Sequence, residues 1–546
     1  MNAIALLLVA IILFLVAYVT YGSWLAKKWG IDLKRKTPAH TKFDNVDYVP
    51  ADAKVLLGHH FSSIAGAGPI TGPIVASVFG WIPVYLWIIV GSIFVGGVHD
   101  FGSLFASIRH DGKSIGEIIK STLGKRGKLL FNIFAWATLA LVVAAFTDIC
   151  AGAFAYDAAN PENLAGAQAG TASILFVILA ILFGFFVNKK GKKLGLSTVI
   201  GVILLFLCVW IGYSFPVIKL SKGIWMIILI GYIIAASVLP VWILLQPRDY
   251  LCSFLLYAML IGGVIGIFIT NPTIELSGFT GFVNGNGDTL FPFLFVTVAC
   301  GAVSGFHSLI GSGTSSKQIN KEGDAKLVGY GAMLIEGIVA VVALIAVASF
   351  TKVEGAPATI FANGLAQFMN GFGLPVEVGR VFVLLTFSAF ALTSLDSATR
   401  IGRYIFQETF SESKPEVKNI LGNKWVATLI TIAASGGLTL YGYSKIWPIF
   451  GSANQLLAAL ALLALSAWLM KVGRKYTMAL IPMIFMFIVT LTALCILIYQ
   501  NLFLGASYVL GIIGLALLIV AILLLIESYN QLIKNKKNTT FKKISN

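Results

Sequence analysis

Long, uninterrupted runs of apolar residues recur along the whole chain, with short polar stretches between them. Each run has roughly 18 or more residues, enough for a helix to cross the ~30 Å hydrocarbon core of a bilayer. The runs are continuous and do not alternate at period two, which favours helices over the strands of a membrane barrel. The pattern predicts an all-α polytopic membrane protein with about 15 transmembrane helices, at 3–25, 56–78, 81–105, 128–150, 170–188, 195–215, 223–245, 250–271, 290–310, 327–350, 376–398, 425–443, 446–470, 476–498 and 506–528.

Composition and charge agree with this class of protein. The 546 residues are 58% hydrophobic and 11% charged, and the mean hydropathy is +0.90. A net charge of +16 would also suit a nucleic-acid partner. With the amino terminus outside, however, all but five of the 39 Lys and Arg residues fall in the inner loops and the carboxyl-terminal tail. This asymmetry is typical of membrane proteins, so we expect a lipid bilayer and no nucleic acid as the partner, with a cytoplasmic carboxyl terminus.

Prolines in two spans indicate an internal repeat. The second span contains Pro69 and Pro73, and five spans later the oppositely oriented seventh span contains Pro240. Two five-helix units of opposite orientation, each opening with a broken helix, are typical of inverted-repeat transporters. We therefore expect this organisation: a first helix and cytoplasmic connector at 1–55, a first core repeat at 56–215, a second, inverted core repeat at 223–408, peripheral helices at 425–528 and a basic cytoplasmic tail at 529–546.

The segment GHHFSSIAGAGPITGPIVAS, at 58–77, is a poor helix former inside a predicted span. Its glycines and prolines weaken the helical hydrogen-bond ladder, and freed backbone groups in lipid would be costly unless protein, water or a ligand satisfied them. The alternative is a tight helix crossing that uses glycines for close approach. We interpret the segment as part of a substrate site near the midplane, formed by Ser62, Ser63, Gly66, Gly68 and Pro69 together with Tyr232, Ser237 and Trp242.

Ionisable residues inside the spans are candidates for gating or ion coupling, because such groups are costly in a bilayer. His59 and His60 begin the second span, and adjacent helical residues diverge, so we expect at most one of them to face a pathway. The other interpretation is an interfacial histidine bonded to a loop. Asp100 needs a partner at its depth, for which Arg109 and His110 are the candidates, either in a structural ion pair or at a proton site.

Polar residues of the ninth and eleventh spans leave the coupling ion open. His307 is followed by Ser312 and Thr314. Hydroxyl oxygens suit Na⁺ and an imidazole suits a proton, although a Ser or Thr hydroxyl also bonds readily to its own helix. Asp396 precedes Arg400 by four residues, which favours an ion pair on one helix face. We count Asp396 among the coupling or gating candidates, and Ser312 and Thr314 as a candidate Na⁺ site.

Other motifs narrow the function classes. The five cysteines lie singly, with no metal-ligand or redox spacing, and we expect no cofactor. The sequence contains neither an ATP-binding phosphate loop nor a His-Glu-x-x-His motif. Asn454 and Gln455, after Pro448, are expected to cap a helix or to join helices through amide hydrogen bonds. A passive channel and an intramembrane metal-dependent enzyme remain alternatives to a transporter, and the oligomeric state is open.

Five segments together resemble the carbon starvation protein A (CstA) family of bacterial inner-membrane proteins. They are GHHFSSIAGAGPITGP, SVLPVWILLQPRDYL, CGAVSGFHSLIGSGT, LTSLDSATRIGRYIFQ and WPIFGSANQLLA, between residues 55 and 470. The resemblance implies a LeuT-like core with discontinuous second and seventh spans that hold substrate, and with hydroxyls of the ninth span at a cation site. It also implies uptake of pyruvate or small peptides in starved cells. We therefore expect a secondary active transporter coupled to H⁺ or Na⁺.

Overall fold

The structure is a computed structural model that describes residues 2–44, 47–190, 194–240, 243–285, 287–350 and 355–544. These residues are mostly helical, and they contain no β-strand. The longer helices are α1 Ala3–Trp29, α2 Ala53–Ile64, α3 Gly68–Ala76, α4 Trp81–Arg109, α5 Ile115–Phe154, α6 Ala165–Lys190, α7 Leu194–Ser214, α8 Lys222–Val238, α9 Leu245–Thr270, α10 Leu290–Val298, α11 Gly305–Gly313, α12 Lys326–Ala348, α13 Pro357–Asn370, α14 Val376–Thr409, α15 Lys424–Thr439, α16 Tyr443–Lys471, α17 Thr477–Leu502 and α18 Tyr508–Ile544.

Fewer helices of the described chain are long and apolar enough to cross a bilayer than the sequence predicts. Within the described residues, twelve helices are long and apolar enough to cross a bilayer, and there are thirteen when the bent pair α2–α3 counts as one span. The predicted spans at 223–245 and 425–443 correspond to the shorter helices α8 and α15, of 17 and 16 residues. The prediction of a polytopic all-α membrane protein is confirmed, whereas the count of about fifteen is not.

The second predicted span is interrupted, as its glycines and prolines indicate. Helix α2 ends at Ile64 and α3 begins at Gly68, and the two halves are bent by 47°. Pro69 is tolerated here because a proline in the first turn of a helix removes an amide that has no helical partner. The interruption lies in the protein interior, where residues 58 and 60–74 are all buried. Backbone groups freed there are kept away from lipid.

The prediction for the seventh span is corrected by the structure. Helix α8 ends at Val238, two residues before Pro240, and the next helix begins at Leu245. Pro240 therefore terminates a helix, consistent with the restriction that a proline places on the preceding residue. The interrupted helix that lies against α2–α3 is the ninth predicted span. There α10 gives way to a 3₁₀ turn at Ala299–Gly301, and α11 resumes at Gly305.

The helices around these two interruptions are packed in a recurring arrangement. Helices α5 and α14 lie along each other at the centre. Helix α8 packs on both of them, and so does α15. Helix α9 packs on α2 and α14, whereas α16 packs on α11 and α5. Helix α3 contacts α12, and α11 contacts α4. The two interrupted helices therefore lie in similar surroundings.

Candidate functional site

The interruptions of α2–α3 and α10–α11 meet in the interior. A Cβ atom built on Gly68 would lie 2.6 Å from Sγ of Cys300, and one built on Gly72 would lie 2.4 Å from the Val298 carbonyl oxygen. Pro69 lies on the same side, with its Cα 3.6 Å from a Cβ built on Gly301. The predicted residues Gly68 and Pro69 therefore lie where two broken helices pack directly against each other, and a substrate site at this junction stays a prediction.

A serine of α14 that is not among the predicted site residues completes this junction. A Cβ built on Gly66 would lie 2.4 Å from Oγ of Ser394. Oγ of Ser394 is buried and has no hydrogen-bond partner within the described residues. In contrast, the predicted residues Ser62 and Ser63 donate their hydroxyls to the His59 carbonyl of their own helix, at 3.1 and 2.8 Å. Gly66 and Ser394 are thus better placed than Ser62 and Ser63 to contact a ligand at the break.

A cluster of two acids and two histidines lies beside the junction. Nδ1 of His307, on α11, is 2.8 Å from Oδ2 of Asp100, on α4. Nδ1 of His99 is 2.7 Å from the other oxygen of Asp100. Nε2 of His307 lies 3.5 Å from Oε2 of Glu336, on α12. All four side chains are buried, so a connected set of titratable groups links α4, α11 and α12. We call these four residues the acid–histidine cluster.

The electrostatics of the acid–histidine cluster depend on how many protons it holds. Within the described chain, the ion pairs of Asp100 and Glu336 involve histidines only, with no Lys or Arg. Both carboxylate oxygens of Glu336 lack hydrogen-bond partners there. Since an ionised carboxylate is costly to bury without a partner, positive charge must come from protonated imidazoles, or Glu336 must hold a proton itself. The cluster can therefore bind, share and release protons.

The predicted partners of Asp100 are elsewhere. Arg109 donates from Nε and Nη2 to Glu322, at 2.5 and 2.8 Å, and from Nη2 to the Gly30 carbonyl. Nδ1 of His110, just beyond α4, lies 2.7 Å from the Ala106 carbonyl oxygen, and burial lowers the pKa of its imidazole. The predicted pairing of Asp100 with either residue is wrong.

His60, of the two adjacent histidines, is the one directed into the protein. Its Nδ1 lies 2.7 Å from Oγ of Ser315, and its side chain is buried. His59 is only partly buried, and it contributes its carbonyl to the serines of α2. The expectation that the two histidines face different directions agrees with this placement, whereas a gating role for His59 stays a prediction.

The candidate Na⁺ ligands of the ninth span bond to their own helix. Oγ of Ser312 donates to the Ser308 carbonyl at 2.7 Å, and Oγ1 of Thr314 donates to the Ile310 carbonyl at 2.9 Å. The described residues contain no group of three or more His, Cys, Asp or Glu side chains arranged to hold a metal ion. These hydroxyls thus have the back-bonded geometry that is common for Ser and Thr in helices, and a Na⁺ site at them stays a prediction.

Asp396 pairs with Arg248 rather than with Arg400. Nη1 of Arg248, at the start of α9, donates to Oδ2 of Asp396. The Tyr232 hydroxyl donates to the same oxygen at 2.7 Å, and Nη2 of Arg248 reaches Oγ1 of Thr393 at 2.8 Å. Arg248 is 1% exposed. Its signal in the sequence was a charged residue beside an apolar run, which is a functional candidate in a membrane protein.

Arg400 and Arg403 bind the end of α8. Arg400 donates to the carbonyls of Ala236 and Leu239, and Arg403 to that of Ser237 at 2.5 Å. Positive groups at a helix carboxyl terminus satisfy its free carbonyls and interact favourably with its dipole. Oγ of Ser237 lies 3.1 Å from Oγ1 of Thr428. Tyr232 and Ser237 therefore lie on α8, with Tyr232 bonded to α14 and Ser237 to α15. The predicted site residue Trp242 lies outside the described residues.

The amides of α16 join the interrupted span to the rest of the protein, as predicted. Oδ1 of Asn454 accepts from the Phe306 amide at 2.9 Å, and Nδ2 donates to Oγ of Ser304 at 3.0 Å. Gln455 donates to the Phe295 carbonyl at 2.6 Å. Asn454 thus caps the beginning of α11 from another helix, which stabilises the break.

We expect Asn454→Leu to destabilise the protein by about 1–3 kcal/mol, because a buried amide at the break loses its acceptor. The measurement is the midpoint of thermal unfolding in detergent. Asn370→Leu is the control, since Asn370 is exposed and its side chain donates to the Leu374 carbonyl, just beyond the end of its own helix. An unchanged midpoint in Asn454→Leu would show that the cap is dispensable.

Comparison with known proteins identifies the family. The sequence model described as carbon starvation protein CstA matches residues 2–359 and 351–493. The chain belongs to the CstA family. Its relatives include the peptide transporter CstA of Escherichia coli, 34% identical over 90% of this chain and 80% of that protein. The peptide transporter CstA of Bacillus subtilis is 31% identical over 97% of this chain and 96% of that protein.

A further relative is named for a different substrate. The pyruvate/proton symporter BtsT of Escherichia coli is 31% identical over 90% of this chain and 81% of that protein. Among solved structures, MhsT in complex with L-phenylalanine matches with a TM-score of 0.48 and 13% identity, over 86% of this chain and 99% of that chain. A manganese transporter of Eremococcus coleocola gives 0.45 and 12% identity, over 90% and 99%. The curated relatives are named as transporters, in agreement with the prediction that the chain is not an enzyme.

Proposed function

We propose that the protein is a proton-coupled secondary active transporter that imports a small carboxylate-bearing solute, pyruvate-like or a short peptide, across the bacterial inner membrane. The observation that carries this proposal is the buried acid–histidine cluster beside two interrupted helices. A broken helix offers backbone groups to a solute, and buried Asp, Glu and His side chains are the usual proton carriers inside membrane proteins. The names of the relatives, peptide transporter and pyruvate/proton symporter, support both substrate classes.

The proton is the better candidate for the coupling ion because of what the side chains do. Asp100, His307 and Glu336 form a connected set of groups that change charge on binding a proton. The hydroxyls of Ser312 and Thr314 are engaged with their own helix carbonyls. A Na⁺ site at those hydroxyls would need the helix to give up these bonds. The proton needs no such rearrangement.

We infer a repeat division that differs from 56–215 and 223–408. One repeat comprises α2 to α5 with α8 and α9, and the hairpin α6–α7 is inserted into it. The inverted repeat comprises α10 to α12 with α14 to α16. Equivalent contacts support this division. Helix α8 of the first repeat packs on α5 and α14, just as its counterpart α15 of the second repeat packs on α14 and α5. Likewise, α3 of the first repeat contacts α12 of the second, and α11 of the second repeat contacts α4 of the first. Each repeat then opens with an interrupted helix.

The positive-inside asymmetry favours an amino terminus outside and a cytoplasmic carboxyl terminus.

The geometry suggests how proton binding affects solute access. Asp100 belongs to the first repeat, whereas His307 and Glu336 belong to the second, so the acid–histidine cluster crosses the boundary between the repeats. Protonation of Glu336 removes its attraction to a charged His307, and loss of a proton restores it. The number of bound protons therefore biases the position of α11 against α4 and α12. Since α11 is half of an interrupted helix, the same bias acts on the solute junction.

The experiment is uptake of labelled pyruvate and labelled dialanine into proteoliposomes, with a proton gradient and a Na⁺ gradient imposed separately. We expect accumulation of at least one solute against its gradient when the outside is acidic, and none with Na⁺ alone. Accumulation driven by Na⁺ alone would overturn proton coupling. Equilibration of a solute without accumulation under either gradient would indicate a passive channel.

A further inference from the structure

A group of buried guanidiniums lies between α8, α9 and α14 and has no part in the acid–histidine cluster. Arg248 contacts Asp396, Tyr232 and Thr393, and its Nη2 lies 3.4 Å from Oδ1 of Asp249. Arg400 and Arg403 follow Asp396 on the same helix. We propose that Arg248 binds the carboxylate of the transported solute, which takes the place of Asp396 on the guanidinium. This inference rests on the proposed transport function and names the group that recognises the solute.

Hydrogen-bond donors are in excess at this place. Within the part of the chain that the structure describes, Nε of Arg248, Arg400 and Arg403 is buried and has no acceptor. Oγ of Ser394, on the same helix as Arg400 and Arg403, is a further buried donor without an acceptor. Buried polar groups without partners are costly and uncommon in folded proteins. A ligand that brings acceptor oxygens would satisfy these donors.

The same group of side chains has more positive than negative charges. Three guanidiniums lie with two carboxylates, Asp249 and Asp396, and Arg400 and Arg403 are bonded to backbone carbonyls rather than to acids. All five side chains are buried. One further negative charge would neutralise the group. A solute carboxylate supplies that charge together with two acceptor oxygens, in the planar geometry that a guanidinium binds best.

The arrangement on α14 connects this group with the solute junction. Thr393, Asp396, Arg400 and Arg403 are spaced by three or four residues, so they lie on one face of the helix. Ser394, next to Thr393, is the residue that contacts the interruption at Gly66. Along α14, Thr393 with its partner Arg248 therefore lies nearer to the junction than Arg400 and Arg403 do. Arg400 and Arg403 lie further toward the end of α14, where Glu408 pairs with Lys128.

A solute carboxylate can replace Asp396 on Arg248, because the guanidinium already binds a carboxylate there. Oδ2 of Asp396 accepts from Arg248 and Tyr232, whereas its Oδ1 has no hydrogen-bond partner within the described residues. The side chain thus holds the guanidinium through a single oxygen and leaves the second position of the planar fork to Thr393. A bidentate solute carboxylate forms the stronger of the two complexes.

The first test compares the affinity of the protein for a carboxylic acid with its affinity for the corresponding amide. In the wild-type protein we expect the KM for uptake, and the Kd from thermal stabilisation in detergent, to be at least about tenfold lower for pyruvate than for pyruvamide, or for dialanine than for dialanine amide. The two pairs distinguish a monocarboxylate from the terminal carboxylate of a peptide. Equal affinity for acid and amide would overturn the inference, and it would do so without any variant.

The double variant Arg248→Gln, Asp396→Asn separates binding from folding. Removing both members of a buried ion pair is tolerated far better than removing one, so we expect a near-normal unfolding midpoint. If Arg248 only balances Asp396, this variant transports normally, and that result would refute the inference. We expect instead at least about a tenfold rise in the KM of the acid and little change for the amide. Arg248→Lys, which keeps the charge but lacks the planar fork, should give an intermediate KM for the acid, and a wild-type KM in this variant would also refute the inference.

These outcomes remain distinct from failure of the proposed function. Wild-type uptake driven by a proton gradient, combined with unchanged KM in the variants, leaves transport established and removes the role of Arg248. A wild-type protein that neither transports nor is stabilised by pyruvate or dialanine overturns the proposed function and, with it, the inference.

Discussion

Glu336→Gln should abolish accumulation of solute in a proton gradient while leaving exchange of solute across the membrane. The amide has almost the same shape as the carboxyl group but cannot carry the proton whose binding and release follow the gradient. Without coupling, the gradient does no work on the solute, so the accumulation ratio falls to about one. Exchange needs only the solute site and the motion of the helices, which the substitution leaves in place.

The environment of Glu336 indicates that Glu336→Gln does not destabilise the folded protein. The side chain is 0% exposed, and its oxygens have no hydrogen bonds within the described residues. A neutral amide in that position costs no more to bury than a charged acid without a full set of partners. We therefore expect an unfolding midpoint equal to that of the wild type or higher. Uphill accumulation at the wild-type level in Glu336→Gln would contradict the role of this residue.

Glu377→Gln is the matched control. Glu377 is in the first turn of α14, its side chain is 60% exposed, and it pairs with Arg380 three residues away. Exposed ion pairs of this kind contribute little to stability. We expect normal proton-driven accumulation in the control. A loss there equal to that of Glu336→Gln would mean that removing any acid impairs transport.

Gly68→Ala should reduce uptake by about tenfold or more, because the two interrupted helices have no room for a methyl group between them. The added Cβ would lie 2.6 Å from both Cβ and Sγ of Cys300, closer than such atoms approach in real proteins. Overpacking of this kind costs roughly 1–3 kcal/mol, and the cost appears as a shift of α3 against the turn at Ala299–Gly301. Initial uptake rates, normalised to the amount of protein inserted in the membrane, measure the effect.

A second substitution tests the cause. Cys300→Gly removes both atoms that the new methyl group meets, so we expect Gly68→Ala with Cys300→Gly to regain part of the lost uptake. Gly437→Ala is the control glycine, since a Cβ there has open space around it, and alanine suits a helix better than glycine. Wild-type uptake by Gly68→Ala alone would remove the junction from the solute path.

The sequence predicted the class of protein and the first interruption for a physical reason. Bilayer thickness fixes the length of apolar runs, and glycines with prolines disrupt a helix wherever it lies. The second interruption could not be found from Pro240, since a proline ends a helix as readily as it breaks one. The break at Ala299–Ser304 contains no proline. Side chains of other helices stabilise it, for instance Ser92 of α4, which donates to the Gly301 carbonyl at 3.1 Å.

Candidate residues were easier to predict than their partners. Asp100, His307 and Asp396 stood out because ionisable groups are rare inside apolar runs, and the same signal was present at Glu336, a lone acid in GAMLIEGIVAVV, and at Arg248. Their pairing depends on which helices pack together. Asp100 and His307 are 207 positions apart, and the partner of Asp396 is 148 positions away. Local spacing pointed to Arg109 and Arg400 because it contains no information on such distant contacts.

Proton entry that accompanies solute entry is the most direct test of coupling through the acid–histidine cluster. Proteoliposomes loaded with a pH-sensitive dye, with no imposed gradient, receive external pyruvate or dialanine while labelled solute is counted in parallel. We expect the lumen of wild-type vesicles to acidify in proportion to solute entry, and the lumen of Glu336→Gln vesicles to stay at constant pH. Solute entry into wild-type vesicles without acidification, or equal acidification of wild-type and Glu336→Gln vesicles, would contradict coupling through the acid–histidine cluster.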